Sequence, residues 1–262
     1  MTCKNCETSL RTDFMFCPSC GSKTDAGRIT FKKLGADVKE RFFDLDNTLF
    51  RTIKTMTFRP EEVVGLYIDG VRRRFMNPMS YLGVALGLSG ILFFIMQKIG
   101  LNELMDFEFL GPQSDVPANG KVMDVIMEYQ TFVFLMYIPV IAFAGILSFN
   151  SRGYNLPEHL VTAIYTLAHI SIITFPFSLV IMLFAPSIYM GYAFFNLFLM
   201  LLFSAFVLMR LHPYKNLGII LIRALIFVVL WMVGYFAVSI GIHLLLLLTG
   251  VVEFSDYLPP QV

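Results

Sequence analysis

The chain has 262 residues, a mean hydropathy of +0.69 and 56% hydrophobic residues, against roughly 45–50% in soluble domains. Charged residues make up only 15%, where about 25% is usual, so a soluble core of this size cannot absorb the apolar surface and lipid must be the second solvent. The formal net charge of +1 conceals an asymmetry: 14 of the 20 Lys and Arg residues precede Pro78, yet ten acids share that region, which speaks for a solvated, membrane-facing surface rather than a nucleic-acid site.

The first 22 residues carry all four cysteines as two CxxC pairs, Cys3–Cys6 and Cys17–Cys20. Each pair can form a tight knuckle that offers two thiolates as neighbouring corners of a tetrahedron around Zn²⁺. Gly21 allows the turn after the second knuckle, and Phe14 and Phe16 can cover the small apolar side of the site. A module this short cannot fold on burial alone, so metal binding is expected to supply its folding free energy. Four thiolates leave no open position for water or substrate, which makes a structural rather than catalytic Zn²⁺ the expectation. Clustering of the cysteines at the polar end, away from the segments expected outside, argues for a reduced compartment and against a disulfide framework. The polar N-terminus has no apolar h-region, so the first apolar span is expected to insert as an uncleaved anchor.

The stretch CKNCETSLRTDFMFCPSCGSK resembles bacterial zinc-ribbon modules found at the N-terminus of many membrane proteins. The later block RPEEVVGLYIDGVRRRFMNP, which leads straight into an apolar run, resembles a bacterial membrane family defined only as a domain of unknown function. Together the resemblance covers roughly residues 1–100. It implies a protein of the bacterial cytoplasmic (inner) membrane and brings no activity, substrate or catalytic residue with it.

Residues 23–36 read as a polar linker with two glycines, and 37–77 as amphipathic juxtamembrane helices. Phe42, Leu45, Leu49, Ile53 and Met56 recur at three- and four-residue steps, one face of a helix that either lies in the headgroup region or packs on the end of the bundle. Pro60 starts a second helix, with Glu61 and Glu62 on its positive end. Arg72, Arg73 and Arg74 stand just before the first span, where positive charge sets topology and can meet lipid headgroups. Asn77-Pro78 then forms a cap and first helical residue.

Five apolar runs follow within 78–250, at about 78–98, 121–149, 158–184, 188–210 and 216–248, each compared with the roughly 20 residues needed to cross the hydrocarbon. The first carries Gly83 and Gly87 at GxxxG spacing, which suits contact within the chain and leaves an oligomer possible. The second contains Pro139 and the third Pro176. The last exceeds the minimum and must tilt or project beyond the bilayer. Residues 251–262 form an acidic tail. Five crossings from a cytosolic N-terminus place Arg72 to Arg74, Arg152, Arg210 and Lys215 inside, and put the acidic loop 101–119 and the C-terminus outside. The expected fold is therefore an all-α membrane protein: a five-helix transmembrane bundle with amphipathic interfacial helices and a small N-terminal zinc ribbon.

Ionisable or strongly polar groups in a bilayer are functional suspects because burying them costs several kcal/mol. Thr162, Thr166 and His169 share one face of the third span, Asn196 lies on the fourth and Arg223 on the last. His169 reads as a hydrogen-bonded structural residue rather than a proton relay, since no membrane-embedded acid accompanies it. Asn196 is expected to bond across to a neighbouring helix, and His243 near the outer interface to be structural. Arg223 can snorkel to headgroups, or engage a bundle partner or an anionic lipid. HExxH, GxSxG, Walker and GxGxxG motifs are all missing, so an enzyme is not expected. Two functions remain. One is a non-enzymatic scaffold or adaptor that presents a cytosolic zinc ribbon to a protein partner. The other is a transporter or lipid-handling protein with a polar path along the third span.

Overall fold

The computed structural model describes residues 2–3, 6–15, 17–19, 48–71, 74–99, 121–122, 125 and 129–257. The linker 23–36, the stretch 37–47, the loop 101–119, the tail beyond 257, and Phe16, Cys20, Gly21, Arg72 and Arg73 lie outside the described residues. The chain divides into two compact units, Met1–Asn47 and Thr48–Val262.

In the first unit the described residues hold no strand, only an isolated bridge between Thr2 and Ser9. Cys3, Leu10 and Cys17 are buried together with Phe14 packed against them.

The second unit is helical. A helix α1 covers residues 48–58, followed by α2 (Pro60–Ile68), α3 (Pro78–Ile99), α4 (Gln130–Ser148), α5 (Leu156–Phe184), α6 (Tyr189–Leu211) and α7 (Leu217–Leu248). Among the described residues five helices are long and apolar enough to cross a membrane: α3, α4, α5, α6 with its leading turn Pro186–Ile188, and α7. Their outward faces are apolar, with Phe94, Phe132, Phe143, Phe177, Phe195 and Phe236 all exposed, as lipid-facing helices require. The five helices define an α-helical, multi-pass membrane protein.

Local chemistry explains the element ends. Asn77 accepts from the Ser80 N–H at 2.9 Å and so caps α3, whose first residue is Pro78. Asn155 and Glu158 form a reciprocal capping box at the start of α5. Asn216 accepts from the Gly218 N–H at 2.8 Å at the start of α7. Pro139 and Pro176 sit inside α4 and α5.

Contacts set the relative heights of the helices. Tyr81, the fourth residue of α3, packs on Tyr165 and His169, the tenth and fourteenth of α5. Farther along, Met96 packs with Met182, so the two helices run parallel with α5 starting about two turns earlier. That offset leaves a corner at the Arg-rich end of α3, and α1 and α2 fill it. Thr52 and Met56 of α1 and Val63 and Val64 of α2 are fully buried, while Phe50 and Phe58 face outward. Leu49 and Ile53 pack against the core, and Arg51 is exposed. Both helices are thus built into the bundle. The last helix projects past its neighbours: Arg223, only its seventh residue, bonds the carbonyl of Ser148, the last residue of α4.

Candidate functional site

Three thiols converge in the first unit. The sulfurs of Cys3, Cys6 and Cys17 lie within 4.8 Å of one another, with Cys6 Sγ 3.6 Å from Cys17 Sγ. Two thiolates sharing a tetrahedral Zn²⁺ at about 2.3 Å are themselves about 3.8 Å apart, whereas a disulfide would bring them to about 2.05 Å. The observed spacing fits metal ligation. The Cys3 N–H donates to the Thr8 carbonyl and the Glu7 N–H to the Cys3 carbonyl, both at 2.9 Å, which curls the first knuckle. Glu7 takes a φ of 57°, the left-handed conformation for which the second knuckle has Gly21 in the matching position. Cys3 and Cys17 are buried and Cys6 exposed.

The polar residues of the membrane unit fall into three groups. The first surrounds His169. Its ring takes Tyr81 Oη at 2.8 Å on Nδ1 and Thr57 Oγ1 at 3.2 Å on Nε2, with Phe203 stacked 5.0 Å away. Thr52 accepts from the Met76 N–H at 2.9 Å, and Tyr165 donates to the Met76 carbonyl at 2.6 Å. The backbone just before α3 is therefore held on both sides, and His169 joins α1, α3 and α5. Thr162 and Thr166 return their hydroxyls to their own helix, on the carbonyls of Glu158 at 2.9 Å and Thr162 at 2.8 Å. Asn196 stands apart from this group, with its Oδ1 buried and unpartnered. His243 donates to the Ser239 carbonyl one turn back.

Arg223 forms the second group. Its Nη1 donates to Ser148 O at 2.6 Å and its guanidinium lies 4.5 Å over the Tyr214 ring. A cation on the last carbonyls of α4 is favoured by the helix dipole, which explains why this arginine faces inward at one edge. Arg74, the described member of the arginine triplet, is exposed, lies over Phe75 and sits 3.9 Å from Glu62. Arg210 pairs with Glu61, tying α2 to the end of α6.

The third group was not singled out in the sequence. His159 on α5 and His212, just after α6, stack at 5.6 Å with an interplanar angle of 13°, and each is 1% exposed. Tyr154 meets both edge-on, at 6.2 and 5.1 Å. All four ring nitrogens are buried without a hydrogen-bond partner. Gly145 makes room for the pair, since a Cβ there would stand 3.0 Å from His159 Nδ1. Loss of water, then the neighbouring His159 and Arg152, push the pKa of His212 down to about 4. Nothing local marks this pair, because its members lie 53 positions apart and meet only through the antiparallel packing of α5 and α6.

An open groove of about 630 Å³ runs between α4 and α7, lined by apolar residues from Met136 to Leu147 and from Leu230 to Leu245. Thr162, Thr166, His169 and Asn196 are not among its walls.

Residues 46–90 match a family described as "Protein of unknown function (DUF3667)". The similarity covers α1, α2, the arginine triplet and the first half of α3, which contribute Thr52, Thr57, Met76 and Tyr81 to the contacts around His169 and Tyr165. No curated protein and no solved structure matches the chain.

Proposed function

We propose that the chain is a non-enzymatic adaptor of the bacterial inner membrane, which presents a zinc ribbon to a protein partner on the cytosolic, Arg-rich side. The observation that carries this reading is the state of the polar residues in the bundle. His169 has both ring nitrogens bonded, and Thr162 and Thr166 are bonded within their own helix, so these groups serve packing. A bundle built this way suits an anchor. The three converging thiols, with Cys20 as fourth ligand, suit a structural Zn²⁺ and give the head a fixed surface.

Two measurements test it. The purified full chain should carry about one zinc, and Cys17→Ser should lose it. Cross-linked membranes should return a reproducible protein partner with the parent but not with a chain lacking residues 1–22. Zinc-free parent protein, or a partner retained without the head, overturns the reading.

A transporter or lipid-handling role along the third span draws on a single observation, the buried, unpartnered Asn196 Oδ1. Solute flux or lipid binding that falls in both His169→Ala and Asn196→Ala proteins, with the fold intact, would favour it over the adaptor.

A further inference from the structure

The groove between α4 and α7 exists because two glycines act differently on one helix. Gly234 touches α4 directly, since a Cβ there would lie 2.5 Å from Val140 Cγ1. Gly241, about two turns on, has nothing within 4 Å of the position its Cβ would take, and there the walls stand apart. Val140, Phe143 and Leu147 line one side, Leu230, Gly241 and Leu245 the other. From Leu147 to Met136 the α4 wall extends about 16 Å, and from Leu230 to Leu245 the α7 wall extends about 22 Å.

Arg223 lies on the same α7 edge, seven residues before Leu230 and so about 10 Å along the helix. Ser148 O takes one of its five N–H donors, and the Tyr214 ring holds the guanidinium in place. Lys215 is the residue next to Tyr214 and is exposed. Among the described residues neither Arg223 nor Lys215 has a carboxylate partner. A positioned cation therefore stands beside Leu147, at one end of the apolar slot.

We propose that this edge is a binding site for an anionic phospholipid, with its phosphate on Arg223 and one acyl chain in the α4–α7 groove. The site is independent of the zinc-bound head. Arg223 sits level with the last residue of α4, and the first turns of α7 lie past that level. Charge alone would attract anionic lipid diffusely. The slot adds a seat for the chain.

Native mass spectrometry of the full chain, reconstituted in equal phosphatidylglycerol and phosphatidylcholine, tests the site. The parent is expected to retain one phosphatidylglycerol in preference to phosphatidylcholine. Arg223→Gln should lower that preference about fivefold, while Arg223→Lys, which keeps the charge, should preserve most of it. Val233→Trp, about 15 Å along the helix from Arg223, fills the slot and should reduce retention of both lipids without changing the preference. Equal retention of the two lipids by the parent overturns the proposal, as does an unchanged preference in Arg223→Gln. It also fails if Val233→Trp retains lipid as the parent does, or if inorganic phosphate alone displaces the lipid.

Discussion

A neutral imidazole buried without hydrogen-bond partners is already costly, and a protonated one costs more. His212 faces His159 in parallel, Tyr154 at its edge and Arg152 nearby, and none of these accepts a hydrogen bond from its ring. Its pKa falls from 6.5 to about 4, through burial first and the two neighbours second. The unfolded chain therefore binds this proton at a higher pH than the folded one. Stability from the neutral ring is fully present above pH 6.5 and is lost as the pH falls toward 4. The loss should be on the order of 1–3 kcal/mol over that window. Thermal unfolding in detergent at pH 7.5 and 5.0 should show it, and His212→Phe, which keeps the stacking and removes the titration, should flatten the difference. An unchanged pH slope in that variant would contradict the assignment.

At the scale of elements, α1 and α2 matter most because they complete the bundle beneath α3. Asp69 and Gly70 end α2, and the chain returns to Met76, whose N–H and C=O are taken by Thr52 and Tyr165. Thr52 is fully buried and also donates to the Thr48 carbonyl at 2.7 Å. Thr52→Val keeps the shape but strands the Met76 N–H, a cost of about 1–3 kcal/mol. A lower thermal midpoint in detergent is expected, with Thr52→Ser close to the parent. Equal midpoints for all three would mean that α1 does not anchor the start of α3. The match of residues 46–90 to a family of unknown function falls on this docked segment, the part of the chain that holds Thr52, Met76 and Tyr81.

At the scale of the molecule, the positive residues of the short turns gather at one end: Arg152 lies 3.9 Å from the Cβ position of Gly65 on α2, and Arg210 pairs with Glu61. At the opposite end Lys121 meets Asp256 at 2.6 Å, and Val122, Leu246 and Val252 pack together. An orientation with the first end inside predicts that alkaline phosphatase fused after Val262 is active and that a fluorescent protein fused there is dark. The reverse pattern would invert the topology.

The five spans and the thiol site were legible because each depends on local chemistry. A helix needs only length and apolarity to cross a bilayer, and thiolates at CxxC spacing can converge through the turns that join them. Asn77-Pro78 likewise announced a helix start by its side chain alone. The polar residues were visible as residue types, yet their partners were not. Periodicity placed Thr162, Thr166 and His169 on one face but said nothing of Tyr81 or Thr57, which lie 88 and 112 positions away from His169. Whether α1 lay in headgroups or docked on helices was equally open, since both surroundings reward the same apolar stripe. The sequence by itself determined the apolar crossing segments and the cluster of thiols at the head, both set by residue type and spacing over short windows. The heights of the helices, the bonded state of His169, the unpartnered histidine pair and the slot beside Arg223 were decided only in the tertiary structure, because they depend on which distant surfaces meet.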